Sequence, residues 1–443
     1  MSYNRVVSRA RPWVSLLCLL MVLVVACAPA APSASPTQPP KPTTPAKAEA
    51  PTPTTAAAKP TAAASPTAQA KPSGAADEWG VVRVRKGQTI KIGMGTALSG
   101  DNANLGIDER NGAMLAIEDK GTVKGFKVEM LVEDDQCTGE GGTAVANKFA
   151  ANPEIVGVVG MMCSSGSIPA SDIFERAHIP MISPSSTALA FTARGLAVAN
   201  RVAWNDNIQG REAAKFAREE LKVSKSAIIH DGSPYGQGLA EVFQKSFQEL
   251  GGQVVAFEGI RVGDKDFRPV LTKIATQQPE LIYFGGFQAE GALLVSQKND
   301  VGMQQVLFMG ADGIKSDQFI EAAGGAAEGA YVSFADVAET EEMRRFRERY
   351  RERYNQAPEQ LGPFHAHAYD AVALLIDAID RASEIDQATG DLIIGRKKLA
   401  DAIRATKGFR GLTGTLSCDA NGDCGIGKVV MHVVRNGKFE TVS

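Results

Sequence analysis

The sequence predicts an α/β protein made of two doubly wound lobes. Three observations carry that prediction. From Thr89 onward, short β-rich apolar runs alternate with helical patterns. The alternation occurs as two series, separated near "NRVAWNDN". The stretch 79–443 is also long enough for two lobes of ordinary domain size.

The first series opens with "TIKIGMGTAL", a strand, followed by "DERNGAMLAIEDK", a helix with Ala113, Leu115, Ala116 and Ile117 on or near its apolar side. "KVEMLVED" is a strand, "GGTAVANKFAAN" a helix and "IVGVVG" a strand. "GSIPASDIFERAH" is a helix that runs at once into the strand "IPMIS". This rhythm implies a parallel sheet with helices on both faces. In the second series, helix "QGREAAKFAREEL" leads to strand "SAIIHD", helix "YGQGLAEVFQKSFQELG" and strand "QVVAFEGI". "FRPVLTKIATQQ", "ELIYFGGF", "EGALLVSQKND" and "QVLFMGA" repeat the pattern. "AYVSF" precedes two long helices, "EEMRRFRERYRERYN" and "AHAYDAVALLIDAIDRA". The chain ends in strands "KVVMHVV" and "KFETV" around the turn Arg435-Asn436-Gly437.

The N-terminus reads as an export signal, residues 1–27. Arg5, Arg9 and Arg11 precede an apolar run, Val14 to Ala26, that is short for a membrane span. The run ends in "VVAC", which resembles a lipobox, so Cys27 is expected to carry a lipid. Residues 28–78 are rich in Pro, Ala and Thr and hold too little apolar material to bury a core, so they read as a disordered tether. The expected location is therefore extracytoplasmic, anchored by lipid to the cell membrane at the surface or in a periplasm.

Without the three signal arginines the chain holds 44 basic residues against 50 acidic ones. That balance gives no footing for nucleic acid. The run Arg344 to Tyr354 alternates Arg with Glu and aromatics and reads as a solvated amphipathic helix. Four cysteines remain after Cys18 and Cys27: Cys137, Cys163, Cys418 and Cys424. In an exported chain they are expected to pair, with three connectivities open. The spacing "CDANGDC" suits a closed turn at Cys418–Cys424, which leaves Cys137–Cys163.

Doubly wound sheets hold ligands at the carboxyl ends of their strands. Two such ends carry the same chemistry here. "IVGVVG" runs into "MMCSSGSIP", placing Ser164, Ser165 and Gly166 at a helix start, where free N–H groups favour an anion such as a carboxylate. The next strand ends in "ISPSSTA", with Ser185, Ser186 and Thr187 after the turn at Pro184.

"CSSGSIPASDIF", "IPMISPSSTALAFTARG", "HDGSPYGQGLA", "GDKDFRPV" and "FGGFQAEGALLVSQ" resemble the leucine/isoleucine/valine-binding protein family, the solute receptors of branched-chain amino-acid ABC importers. The likeness runs in order from Thr89 to the end. It implies a type I periplasmic binding protein fold, with three hinge crossings between lobe 1 (about 88–205 and 334–418) and lobe 2 (about 206–333 and 419–443). One amino acid is held in the cleft and delivered to permease subunits by a monomeric receptor that needs no cofactor or metal.

By motif position, Ser164 would bind the ligand carboxylate with its N–H and hydroxyl, and Thr187 would do the same from the next loop. The Ser185 carbonyl would accept from the ammonium. Asp312, in "FMGADG", would pair with the ammonium from the other lobe, and Tyr235 would close over the ligand from that side. Cys137 and Cys163 match the family's disulfide beside the site. Leu105, in the loop "SGDNANLGIDERNG", and Phe287 stand where relatives often carry an aromatic residue and a Tyr. Asp312 is shorter than the usual Glu, which predicts an ammonium set deeper, shifted or met through water. An amide, urea or aromatic acid is the alternative ligand, and a sensor for a membrane partner is the alternative role.

Catalysis finds no support. His230 falls in the lobe opposite Cys163, which has a better partner in Cys137, and Ser164 lacks a nucleophile elbow. His365 and His367 are two apart at a helix start and diverge, so they are not expected to share a metal. "DANGDC" lacks the length and terminal Glu of a calcium loop.

Overall fold

A computed structural model describes residues 77–425 and 427–442; the export signal, the tether up to residue 76 and Cys27 lie outside the described residues. Two large sheets dominate. The first orders its strands Thr122–Val123, Phe126–Asp134, Ile90–Thr96, Ile155–Val159, Met181–Ser183 and Ala199–Arg201, parallel throughout except for the edge hairpin at Thr122–Val123. All five residues of Ile155–Val159 are buried, as a central strand covered on both faces requires.

The second sheet runs Lys438–Thr441, Val429–Arg435, Tyr331–Ala335, Leu307–Gly310, Leu281–Gly285, Lys225–His230 and Gln253–Gly259. Its last five strands are parallel, and the C-terminal hairpin joins antiparallel.

The chain leaves the first sheet after Arg201, leaves the second after Ala335 and returns to it between Leu416 and Val429. Three segments therefore connect the two halves. Arg201, fully buried, ties the first crossing to the third. Its Nε donates to Asp423 Oδ1 at 2.6 Å, and its backbone pairs with Gly422 O and Cys424 N, each at 2.9 Å. The Cys418–Cys424 disulfide closes the turn that carries Asp423. Asp419 Oδ1 accepts from the N–H groups of Asn421, Gly422 and Asp423, so this oxygen is folded onto its own backbone.

The helix expected from Asp108 begins at Ala103 and ends at Lys120, which turns Leu105 from a loop residue into a first-turn helical one. A small sheet of Val81–Val84, Leu392–Gly395 and Ser383–Ile385 and the helix Arg396–Arg404 have no counterpart in the sequence reading. Those strands are three or four residues long, too short to show a period.

Candidate functional site

The carboxyl ends of both sheets face one narrow cleft. The hydroxyl-rich loops form its floor, and most of their hydroxyls turn out to be internal braces. Ser167 Oγ and Ser183 Oγ donate to Met161 O at 3.0 and 2.7 Å. Ser185 Oγ and Ser186 Oγ donate to Met162 O at 2.8 and 2.9 Å. Two carbonyls thus lock the loop after Val159 to the loop after Ser183. Close helix packing fixes the first loop further: a methyl on Gly142 would stand 2.5 Å from Gly166 Cα.

Ser164 is different. It is the first residue of the helix Ser164–Ala177, and its Oγ accepts from Ala188 N at 3.2 Å. That bond leaves the hydroxyl proton free to donate into the cleft, beside the helix N-terminus. The Ser185 carbonyl takes no hydrogen bond among the described residues. Cys163 is joined to Cys137, which excludes it as a nucleophile or metal ligand. Asp135 clamps both ends of that bridge, accepting from Cys137 N at 2.9 Å and from Met162 N at 3.0 Å. Replacing Cys137 and Cys163 together by alanine is expected to cost about 3–4 kcal/mol, read as a lower urea midpoint, with a somewhat larger m-value because the unfolded chain loses its cross-link.

The second half supplies Tyr235, Phe287 and Asp312. The Tyr235 hydroxyl donates to Asp312 Oδ1 at 3.0 Å and accepts from Gly313 N at 3.1 Å. Its ring lies 5.2 Å from that of Phe287. The lining comprises Leu105, Met162, Cys163, Ser164, Ser185, Tyr235, Phe287, Asp312, Gly313 and Phe364. Six of the seven residues expected at the ligand are therefore together. Thr187 is buried but does not line the cleft.

Thr187 instead leads to an acid that the sequence reading missed. Its carbonyl accepts from Asp206 N at 2.9 Å, and its Oγ1 stands beside the Asp206 carboxyl without completing a well-formed hydrogen bond. Asp206 begins the helix Asp206–Glu219 at the first crossing, and neither of its carboxylate oxygens has a partner among the described residues. Burial, with the charge of Asp312 added, pushes Asp206 up to about 8. Burial likewise raises Asp312 to about 6, against the pull of Gln209 and Tyr235. Two buried acids thus lie close together; Arg201, whose charge pulls Asp206 the other way, is itself bonded to Asp423. The sequence reading had only the short Asp312 on this side; the structure adds a second carboxylate, Asp206, close to it. In sequence, "NDN" reads only as a helix start, with Asn205 capping and Asp206 following; no local pattern brings it beside Asp312.

The chain matches the family model "Periplasmic binding protein" over residues 89–438. The chain belongs to the periplasmic binding protein family. Among relatives, the leucine-, isoleucine-, valine-, threonine- and alanine-binding protein of Pseudomonas aeruginosa is 35% identical over 338 residues, 76% of this chain and 87% of that one. Among solved structures, the leucine-binding protein LivK of Thermotoga maritima aligns with a TM-score of 0.73 at 30% identity, covering 80% of this chain and 98% of that one. The branched-chain amino-acid transporter substrate-binding protein LivJ of Streptococcus pneumoniae, in complex with isoleucine, gives 0.70 at 28% identity, covering 80% and 99%.

In this member of the periplasmic binding protein family the two halves are also latched at the cleft rim. Asn104 Nδ2 donates to Gln288 Oε1 at 3.2 Å, and Gln288 Nε2 returns a bond to Asn104 Oδ1 at 2.6 Å and another to Asp101 O at 3.0 Å. Both side chains are buried. Gln288→Ala is expected to weaken ligand binding about five- to thirty-fold, through loss of closed-state bonds alone. Calorimetry with small-angle scattering checks this: the variant's unliganded form should be more open.

His365 lies in a buried pair with Asp108, Nδ1 to Oδ1 at 3.1 Å, and His367 packs among Trp204, Phe334 and Phe364. Among the described residues no group of three or more His, Cys, Asp and Glu could hold a metal.

Proposed function

We propose that this protein is an extracytoplasmic receptor that captures a branched-chain aliphatic amino acid by closure of two lobes and delivers it to an ABC importer. One arrangement carries the reading: a helix N-terminus with a free Ser164 proton faces Asp312, held by Tyr235, across a cleft whose remaining wall is apolar, with the unpartnered carboxyl of Asp206 buried behind it. A zwitterion has the complementary chemistry. Its carboxylate meets Ser164 N–H and Oγ. Its ammonium meets Asp312, Asp206 and the Ser185 carbonyl. Leu105, Met162, the Cys137–Cys163 bridge, Phe287 and Phe364 offer an aliphatic side chain dispersion contacts and no polar group to satisfy.

Tyr235 and Phe287 come from the opposite half to Ser164, so they engage only when the lobes close. Such contacts, made in one state and not the other, let a ligand drive closure. The names of the relatives support the same ligand class. Thr187 acts in this scheme by seating Asp206.

Titration calorimetry on the full chain, unfolded to strip carried ligand and refolded, tests the reading. Leucine, isoleucine and valine are expected to bind tightly. Silence to all three, with a response to an amide or an aromatic acid, would overturn the amino-acid assignment. Cys27 is the proposed lipid site: Cys27→Ala is expected to shift the protein from the membrane fraction to the soluble one, with ligand affinity unchanged.

A further inference from the structure

A second cavity, of about 460 Å³, opens beside the second crossing. Lys315, Phe334 and Phe439 reach it from the second half, while Met343, Arg347 and His367 reach it from helices packed on the first. Lys315 is its unusual member. The ammonium makes no hydrogen bond or ion pair among the described residues and rests only against ring faces, 4.9 Å from the centre of Phe334 and 5.5 Å from that of Phe439. Burial draws it down to about 8, against the upward pull of Glu359 and Asp317, which also line the cavity without forming an ion pair with it.

Arg347 cannot serve as a second free cation, since its Nε is held by Glu359 at 2.8 Å. Lys438, exposed at the rim, has no ion pair among the described residues. His367, 2% exposed, adds a second polar group on the cavity wall whose Nδ1 has no partner there. Of the two carboxylates on the wall, Glu359 is held by Arg347 and Asp317 forms no ion pair with Lys315; one ammonium outside any ion pair, framed by two rings and a Met, suits a single negative charge on an apolar body.

We infer that this cavity is a second ligand site, which takes a small organic monoanion, a carboxylate on a short aliphatic or aromatic body, and tightens the hold on the amino acid. Two features couple it to the cleft. The turn Asp312–Ile314 presents Asp312 to the amino-acid cleft and ends at Lys315, whose N–H donates to Asp312 O at 3.0 Å. The segment Phe364–His367 has Phe364 in the cleft wall and His365 and His367 in the cavity wall. Both halves line the cavity in this closed arrangement, so an occupant favours closure. The coupling half of the inference rests on the proposed amino-acid function; the existence of the site does not.

The test uses full-length protein stripped of ligand and 4-fluorophenylacetate as probe, followed by fluorine NMR with and without leucine. Wild type is expected to bind the probe saturably, and leucine to tighten it about five-fold or more. By reciprocity the probe should raise leucine affinity by the same factor. Lys315→Met keeps the aliphatic length and removes the charge. It should lose about ten-fold or more in probe affinity and all of the coupling, with leucine alone binding within about two-fold of wild type.

Equal probe binding by Lys315→Met and wild type, or none by either, overturns the site. Displacement of the probe by leucine places it in the amino-acid cleft and also overturns the site. Displacement by chloride or phosphate at matched concentration overturns the ligand class. If leucine does not bind at all, the probe titration of wild type against Lys315→Met still decides the site, while the proposed function falls.

Discussion

Asparagine in place of Asp206 is expected to lower amino-acid affinity by about 100- to 1,000-fold. The substitution keeps the size and removes only the charge. In the proposed complex the ligand ammonium enters a site from which water is excluded and meets two carboxylates. Without Asp206, part of that buried charge is left unanswered, a loss of roughly 3–5 kcal/mol for a broken buried pair. Asp312→Ala is expected to act in the same range, and the two together to cost less than their sum because both serve one ammonium.

A stability measurement separates loss of the site from loss of the fold. At pH 8 the unliganded Asp206→Asn protein should melt at a higher temperature than wild type, because a buried carboxyl with no partner has been removed. Wild-type affinity in Asp206→Asn would take this residue out of the ammonium subsite.

The elements that the sequence made legible share a property: each is long enough to show its period. "IVGVVG" and "AHAYDAVALLIDAIDRA" were read correctly because near-continuous apolar runs of these lengths have few alternatives. Val81–Val84 and Leu392–Gly395 were not read, since neither four-residue strand means anything until the other is beside it. The start of the first helix was placed five residues late. Asn102 caps it without a side-chain bond, and "DNANLG" looks like a turn.

The site was legible where its chemistry is local. Ser164 follows a strand and opens a helix, so its place at the cleft needs no tertiary information. Most of the crowded hydroxyls face inward: Ser167, Ser183, Ser185 and Ser186 brace one loop against the other through Met161 and Met162 carbonyls. A serine gives no sign in sequence of whether its proton is spent inward or offered to a ligand. Asp206 and Phe364 were invisible for a further reason. Each lies at a crossing or a loop whose position depends on both halves, and a carboxylate at a helix start already has an ordinary structural use.

Acidification is expected to weaken amino-acid binding and to stabilise the unliganded protein. Both follow from the same two groups. Asp312 and Asp206 are raised by burial to about 6 and about 8, whereas in the unfolded chain an Asp titrates near ~3.9. The folded, ligand-free protein therefore binds more protons than the unfolded one across that window. The stabilisation from these groups is complete below the unfolded value. It is lost as pH rises, through about 6 for Asp312 and about 8 for Asp206, at up to roughly 1.4 kcal/mol per pH unit for each proton held. Asp135, Asp231 and Asp370, also raised by burial to about 6, add in the same direction.

In the proposed complex the ligand reverses the preference, because its ammonium favours the ionised carboxylates. Binding near neutral pH should thus expel protons, and affinity should fall about ten-fold for each pH unit below 6 for every proton that must leave. Calorimetry at pH 7 in two buffers of different ionisation enthalpy reads the protons directly, and a leucine titration from pH 8 to 5 reads the slope. Equal apparent enthalpies in the two buffers, with a flat slope, would mean that the acids are already ionised before the ligand arrives. The ammonium would then have to be held by groups other than this pair.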